Sequence, residues 1–209
     1  MKNATKHADA LKSHAKKLIK AHKVDGERTK QEPLWALVRG AMSFDAPDSK
    51  VDDVIKGIER EFVDLNELRV ATELEVQEML GARYPGIEKR VNLITQALNG
   101  IFEKEHTLSL DRLREVSRRD ARQFLRDLPG MTPYVEAYVM LMAFEGHAFP
   151  CDQGMLDHLL EEEIVEDGTS LEDAQKFVEH HLKAEEMHPL FVAMRAAVME
   201  GKGRKKVKA

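Results

Sequence analysis

The chain has 209 residues, 33% of them charged and 43% apolar, with a formal net charge of -5. This is long enough to bury a core as one large domain or two small ones, and the composition is that of a globular rather than a disordered chain. A single cysteine, Cys151, excludes an internal disulfide and any four-cysteine zinc or iron–sulfur site built from these residues; the longest apolar run, Val135 to Phe144, contains Glu136 and is too short to cross a bilayer.

The charge is unevenly placed. Residues 1–30 carry a net +6 and residues 202–209 a net +5, which leaves -16 on the residues between them. Basic arms on an acidic body suit a polyanion such as nucleic acid, because each phosphate neutralised releases counterions; a solubilising tail is the alternative for the short lysine run. The lysine-rich start lacks the apolar segment and cleavage site of a signal peptide, so the expected location is cytoplasmic, and nucleoid-associated in a prokaryote.

Helical periodicity runs through the chain. Ala8, Leu11, Ala15, Leu18 and Ile19 form one stripe of an amphipathic helix over Ala8 to Ala21, followed by a polar linker over 25–32. Pro33 opens the apolar helix PLWALVRGAM. Val51, Val54, Ile55, Ile58 and Phe62 predict a helix over 48–63, and DLNELRVATELEVQEML predicts two short ones, the second with a capping box at Thr72 and Glu75. Pro85-Gly86 breaks the chain before a helix from Ile87 to Phe102. SLDRLREV and SRRDARQFL read as two short helices with serine N-caps. After Pro133 comes the apolar helix of the long run. Asp152 or Gln153 begins MLDHLLEEEIV, Thr169-Ser170 caps LEDAQKFVEHHLKAEE, and Pro189 starts LFVAMRAAVMEG. No alternating strand pattern stands out, so the predicted class is all-α with about ten helices.

Two features bear on chemistry. Leu128-Pro129-Gly130 joins two helices through a very short turn, which is either an ordinary inter-helix turn or an anion site where helix amides meet a phosphate. Asp152 stands at the start of the next helix but one, where it either caps that helix or serves as a carboxylate kept ionised by the helix dipole. His181, Glu185 and His188 fall at helical spacing on one face; with no fourth ligand specified, a solvated polar face is preferred to a metal site.

Taken together these residues resemble the helix-hairpin-helix DNA glycosylase superfamily, specifically its endonuclease III-like branch, over roughly residues 33 to 190. Leu128-Pro129-Gly130-Met131-Thr132-Pro133-Tyr134 sits on the family's L-P-G-x-G-x-K hairpin, and Cys151-Asp152-Gln153-Gly154 on its V-D-T-H segment, with the family's eighteen-residue spacing from Tyr134 to Asp152. Pro33 to Val38, Asp64 to Ala71, and Gly86 with Arg90-Val91-x-x-Ile94 follow in family order.

The resemblance implies two helical lobes, residues 34–147 as a helical barrel with the hairpin and residues 1–33 plus 148–209 as a second lobe, with Asp152 facing the cleft between them. It implies a monomer that binds double-stranded DNA by its phosphate backbone, extrudes one base and hydrolyses its glycosidic bond, with Asp152 as the catalytic carboxylate and Tyr134 lining the base pocket. Leu128, Gly130, Met131 and Thr132 would meet DNA at the hairpin, and Lys202, Arg204, Lys205 and Lys206 would supply further phosphate contacts. Phe44, where the family has the glutamine of S-Q-N, is a DNA wedge or a core residue.

This sequence departs from the family in four places. Tyr134 replaces the Schiff-base lysine, so lysine-dependent lyase activity is not expected. Thr132 replaces the second hairpin glycine, Phe44 the glutamine, and the four-cysteine loop is missing, so no cofactor or metal is expected. A non-catalytic DNA-binding relative and a helical interaction module are the alternatives.

Overall fold

The computed structural model describes residues 4–24, 30–81 and 84–207, with side chains from residue 5 to residue 201. These residues are all-α: eleven helices and one 3-10 turn, with no strand. Of the polar stretch 25–32, residues 25–29 lie outside the described residues. No helix among those described is long and apolar enough to cross a membrane. The chain divides into two compact units, Gln31–Phe144 and Met1–Lys30 with Glu145–Ala209. Helix α1 (Ala4–Ala21) belongs to the discontinuous unit; α2 to α8 form the continuous one.

In the continuous unit, α2 (Pro33–Ser43) starts at a proline, which lacks the amide that a first turn cannot use, and Glu32 caps it by accepting from the Trp35 amide. Helix α3 (Asp48–Glu61) buries Val51, Val54, Ile55 and Ile58 at the spacing the sequence shows. The short α4 (Leu65–Val70) is capped by Asp64, and α5 (Glu73–Leu80) by the reciprocal Thr72–Glu75 box. Helix α6 (Ile87–Glu105) packs against α2, α4 and α5.

The segment SLDRLREV is not a helix of its own. It forms a single 3-10 turn, Asp111–Arg114, in which Ser109 accepts from the Asp111 amide only two residues on; Leu110 and Leu113 are the two buried anchors of the segment, too few to hold a longer helix. Helix α7 (Arg118–Arg126) does have its serine cap, Ser117. Helix α8 (Pro133–Phe144) is buried from Tyr134 to Ala143, as a helix apolar on every side must be. It packs on α2 and α7, and Gly40 of α2 lets the Tyr138 ring approach: a Cβ there would stand 3.1 Å from Tyr138 Cδ1.

The other unit packs α1 against α10 (Leu171–His181) and α11 (Ala184–Val207), with α9 (Gln153–Glu161) against both of these. Two sequence expectations are corrected here. The helix beginning at Leu171 stops at His181, because Leu182 takes an extended conformation (φ -114, ψ 156). Pro189 does not begin a helix but lies inside α11, whose first turn is secured by the Lys183 amide donating to Glu186 Oε2 at 2.9 Å.

Candidate active site

Asp152 is placed by a loop whose backbone is pinned inside its own unit. The His147 ring nitrogen donates to Leu182 O at 3.0 Å, the Phe149 amide donates to Glu179 Oε1 at 2.9 Å, and Gln175 donates to the same oxygen at 3.0 Å. Phe149 is fully buried and meets Phe191 edge-on. Asp152 then caps α9, its Oδ1 accepting from the Met155 amide at 2.9 Å. Its Oδ2 lies 3.7 Å from Nη1 of Arg195 on α11. Asp152 is 1% exposed and Arg195 5%, so the pair is desolvated. The helix dipole, the Met155 N–H and the guanidinium all present positive potential to the carboxylate. Cys151 beside it is a buried thiol.

The hairpin is built in the continuous unit. Leu128 is buried, and the Met131 amide donates to Leu128 O at 3.2 Å to close the turn. Gly130 has φ +73, a left-handed conformation that suits glycine. The turn rests on α6: a Cβ at Gly100 would come 2.5 Å from Pro129 Cδ, and one at Gly130 would come 2.9 Å from Gln96 Oε1 and 3.3 Å from Leu93 Cα. Thr132 is exposed and caps α8, its Oγ1 accepting from the Val135 amide at 3.3 Å. Its φ is not positive, so this position has no need of a glycine. Met131 is half-buried. Because Pro133 has no amide and Thr132 takes that of Val135, two of the first-turn positions offer nothing to a phosphate.

Two turns of α8 carry the remaining polar groups. Tyr134 is buried, with its hydroxyl 3.0 Å from Ser43 Oγ; Ser43 donates to Gly40 O, so Tyr134 is the donor between the two. Phe44 is half-buried and meets the Tyr134 ring edge-on at 5.1 Å. Glu136 is 1% exposed and accepts from Arg122 Nε at 2.6 Å and Arg126 Nε at 3.2 Å, which ties α7 to α8. At the C-terminus of α2, Arg90 donates to the carbonyls of Ala41 (2.7 Å), Met42 (2.9 Å) and Phe44 (2.6 Å), and Tyr84 donates to Met42 O at 2.7 Å. A cation is favoured at a helix C-terminus, although burial pulls the Arg90 pKa down from its usual value, with Tyr84, Tyr134 and Asp45 opposing.

Tyr134, Phe44 and Ser43 are thus brought together, and Leu128 and Gly130 share a seat on α6. The side chains of Lys202, Arg204, Lys205 and Lys206 lie outside the described residues. The break at Leu182 puts His181 on α10 and Glu185 and His188 on α11, and no group of three or more metal-ligating side chains gathers among the described residues. Sequence reasoning passed over Arg195, Glu136 and the carbonyl-capping role of Arg90. For the first two the signal was present, a lone charge inside an apolar run.

No protein-family model matches the chain, and no curated protein matches it. Solved structures do. A non-covalent endonuclease III–DNA complex matches with TM-score 0.72 at 15% identity, over 90% of this chain and 84% of that one. The 8-oxoguanine glycosylase/lyase of Clostridium acetobutylicum, in complex with double-stranded DNA containing cytosine opposite 8-oxoG, gives 0.69 at 17% identity, over 92% and 70%. The chain has the helix-hairpin-helix DNA glycosylase fold. A thermostable thymine-DNA glycosylase matches at TM-score 0.67 and 12% identity, over 91% of this chain and 86% of that one. At these identities the likeness is one of fold.

Proposed function

We propose that this chain is a monomeric DNA N-glycosylase that removes a damaged or mismatched base by hydrolysis. The observation that supports this most is the carboxylate of Asp152, immobilised by a backbone amide and a buried arginine at a helix N-terminus, eighteen residues beyond the hairpin tyrosine. Endonuclease III and the 8-oxoguanine glycosylase/lyase are solved on DNA, and we carry duplex binding and an extruded base over to this chain on the strength of the shared fold.

Breaking the glycosidic bond builds positive charge on the sugar. An ionised carboxylate held nearby stabilises that charge, and orients or deprotonates the attacking water. Asp152 is assigned both roles. Tyr134 is no amine and forms no imine with the sugar, so the lysine route to strand cleavage is absent from this proposal. Tyr134 and Phe44 are assigned to the base pocket and the DNA wedge; Leu128, Gly130, Met131 and Thr132, with Lys202, Arg204, Lys205 and Lys206, to the phosphate backbone.

The test uses duplexes carrying oxidised pyrimidines, uracil, thymine opposite guanine, or alkylated bases, with chemical cleavage of the abasic product. Wild type releases one of these bases and Asp152→Asn does not. Release by neither protein, or equally by both, refutes the assignment.

One observation favours a second reading, a DNA-binding protein without catalysis. Arg195 already neutralises Asp152, and both are almost fully buried. Salt-sensitive duplex binding with no base release on any substrate would establish it.

A further inference from the structure

Among the described residues, five large apolar side chains are exposed, and four of them belong to one region of the continuous unit. Val63 (93% exposed) precedes α4, Val70 (64%) ends it, Leu74 (64%) lies in the first turn of α5, and Phe102 (38%) projects from α6, on which α4 packs. Scattered apolar residues on a surface need no explanation, but a concentration around one short helix marks an interaction site. Phe102, alone of the four, also lines an open groove of about 530 Å³, together with Trp35, Leu65 and Leu108 and bordered by Glu32 and Asp64. Arg69 covers one face of the Phe102 ring at 4.2 Å, anchored by Asn66 and Asn99.

The charge around this groove points to its occupant. Two carboxylates, Glu32 and Asp64, border it, against one arginine, Arg69, held over Phe102. Glu32 and Asp64 each use one carboxylate oxygen to cap a helix and still contribute a full negative charge at the groove. A basic, amphipathic helix matches both properties, its apolar face covering Val63, Val70, Phe102 and the groove floor and its lysines or arginines facing the acidic border.

We propose that the surface around α4, with the adjoining Trp35 groove, docks a lysine- or arginine-rich amphipathic helix of a partner protein. This stands on different residues from the proposed catalytic function and survives that function's failure.

Trp35 is the chain's single tryptophan, so its fluorescence reports on the groove alone. Titrate the full chain with a synthetic leucine–lysine helical peptide free of aromatic residues, with its leucine–glutamate counterpart as control. The lysine peptide should produce a saturable change in Trp35 emission that weakens with salt; the glutamate peptide should produce none. Val63→Ser with Val70→Ser, and separately Glu32→Gln with Asp64→Asn, should each weaken binding by about tenfold, whereas Val192→Ser, an exposed apolar site in the other unit, should not. Both sets of changes are mild: the valines are solvent-facing, and glutamine or asparagine keeps a capping oxygen. No saturable signal, an equal response to the glutamate peptide, or equal loss in Val192→Ser would overturn the proposal. So would light scattering that shows a dimer occupying the same surface.

Discussion

Replacing Glu136 by glutamine tests whether the hairpin is held by charge. The carboxylate is 1% exposed and accepts from two arginines of α7. Their contributions differ. The Arg126 side chain is 54% exposed, so its 3.2 Å contact is solvent-screened and falls in the range of a surface pair, below about 1 kcal/mol. The Arg122 side chain is only 20% exposed and its Nε lies 2.6 Å from Oε1, which makes it a charge-assisted hydrogen bond of about 1.5–3 kcal/mol. Glutamine keeps the shape and one acceptor but removes the negative charge that both arginines meet, for an expected total loss of about 2–4 kcal/mol. Urea unfolding followed by Trp35 emission reads the continuous unit; with a slope near 2–3 kcal/mol per molar, the midpoint should fall by about 1 M. Arg122→Met should cost more than Arg126→Met. A loss below about 0.5 kcal/mol for Glu136→Gln, or the reverse order of the two arginines, would refute this account.

Three further outcomes are expected. Gly100→Ala should loosen the hairpin's seat on α6 more than Gly130→Ala, because the Cβ of the first would come 2.5 Å from the Pro129 ring, whereas the second meets chiefly the movable end of Gln96 and pays about 1–2 kcal/mol for its left-handed backbone; equal melting temperatures would contradict it. Arg195→Met should destabilise the fold by about 3–5 kcal/mol by removing a cation 3.7 Å from the buried Asp152 carboxylate, and the double variant with Asp152→Asn should recover part of that loss; a purely additive double variant would show the pair to be uncoupled. Acid should weaken the discontinuous unit through His14 and His158, whose ring nitrogens are 2.9 Å apart and share one proton. Burial lowers both pKa values from their usual level. For His14, His158 and Lys17 add to the lowering and Glu162 opposes it; for His158, Glu162 and Glu161 oppose it. Groups depressed in the folded state contribute fully above the unfolded pKa of about 6.5 and lose that contribution as pH falls through the folded value. His158→Gln should therefore flatten the fall in stability between about pH 7 and pH 5; an unchanged slope would refute the role of the pair.

What was legible in the sequence was local. The Thr72–Glu75 box and the caps at Ser117 and Ser170 are signals within three residues, and each stands where its motif stood. The apolar stripes of α3 and α6 define buried faces, and the order of hairpin, apolar helix and aspartate carried the fold. What was missed depended on partners distant in sequence or on weak local balances. Arg195 reaches a carboxylate 43 positions away, and Glu136 meets arginines one helix earlier; each lone charge shows in its apolar run, but its partner does not. The position of Asp152 at a helix start was visible from spacing, whereas its burial and its cation were not. Pro189 looks like a helix start because prolines favour the first turn, but the Lys183–Glu186 contact begins α11 earlier.

The division of the chain also sets an order of events in folding. Residues 31–144 are contiguous, so this unit has all its partners once α8 is complete. Helix α1 finds its own in α9, α10 and α11, about 130 residues or more further along the chain. During synthesis α1 therefore exists for a time as an amphipathic segment with Leu11 and Ala15 uncovered, and the discontinuous unit must close a long loop around an already folded insert. Compact packing of that insert shortens the effective loop, since closure entropy depends on the free chain spanned rather than on residue number. Refolding should accordingly show Trp35 reaching its native emission before the α1–α11 contact forms, and a chain released from the ribosome before α11 emerges would expose α1 to chaperones.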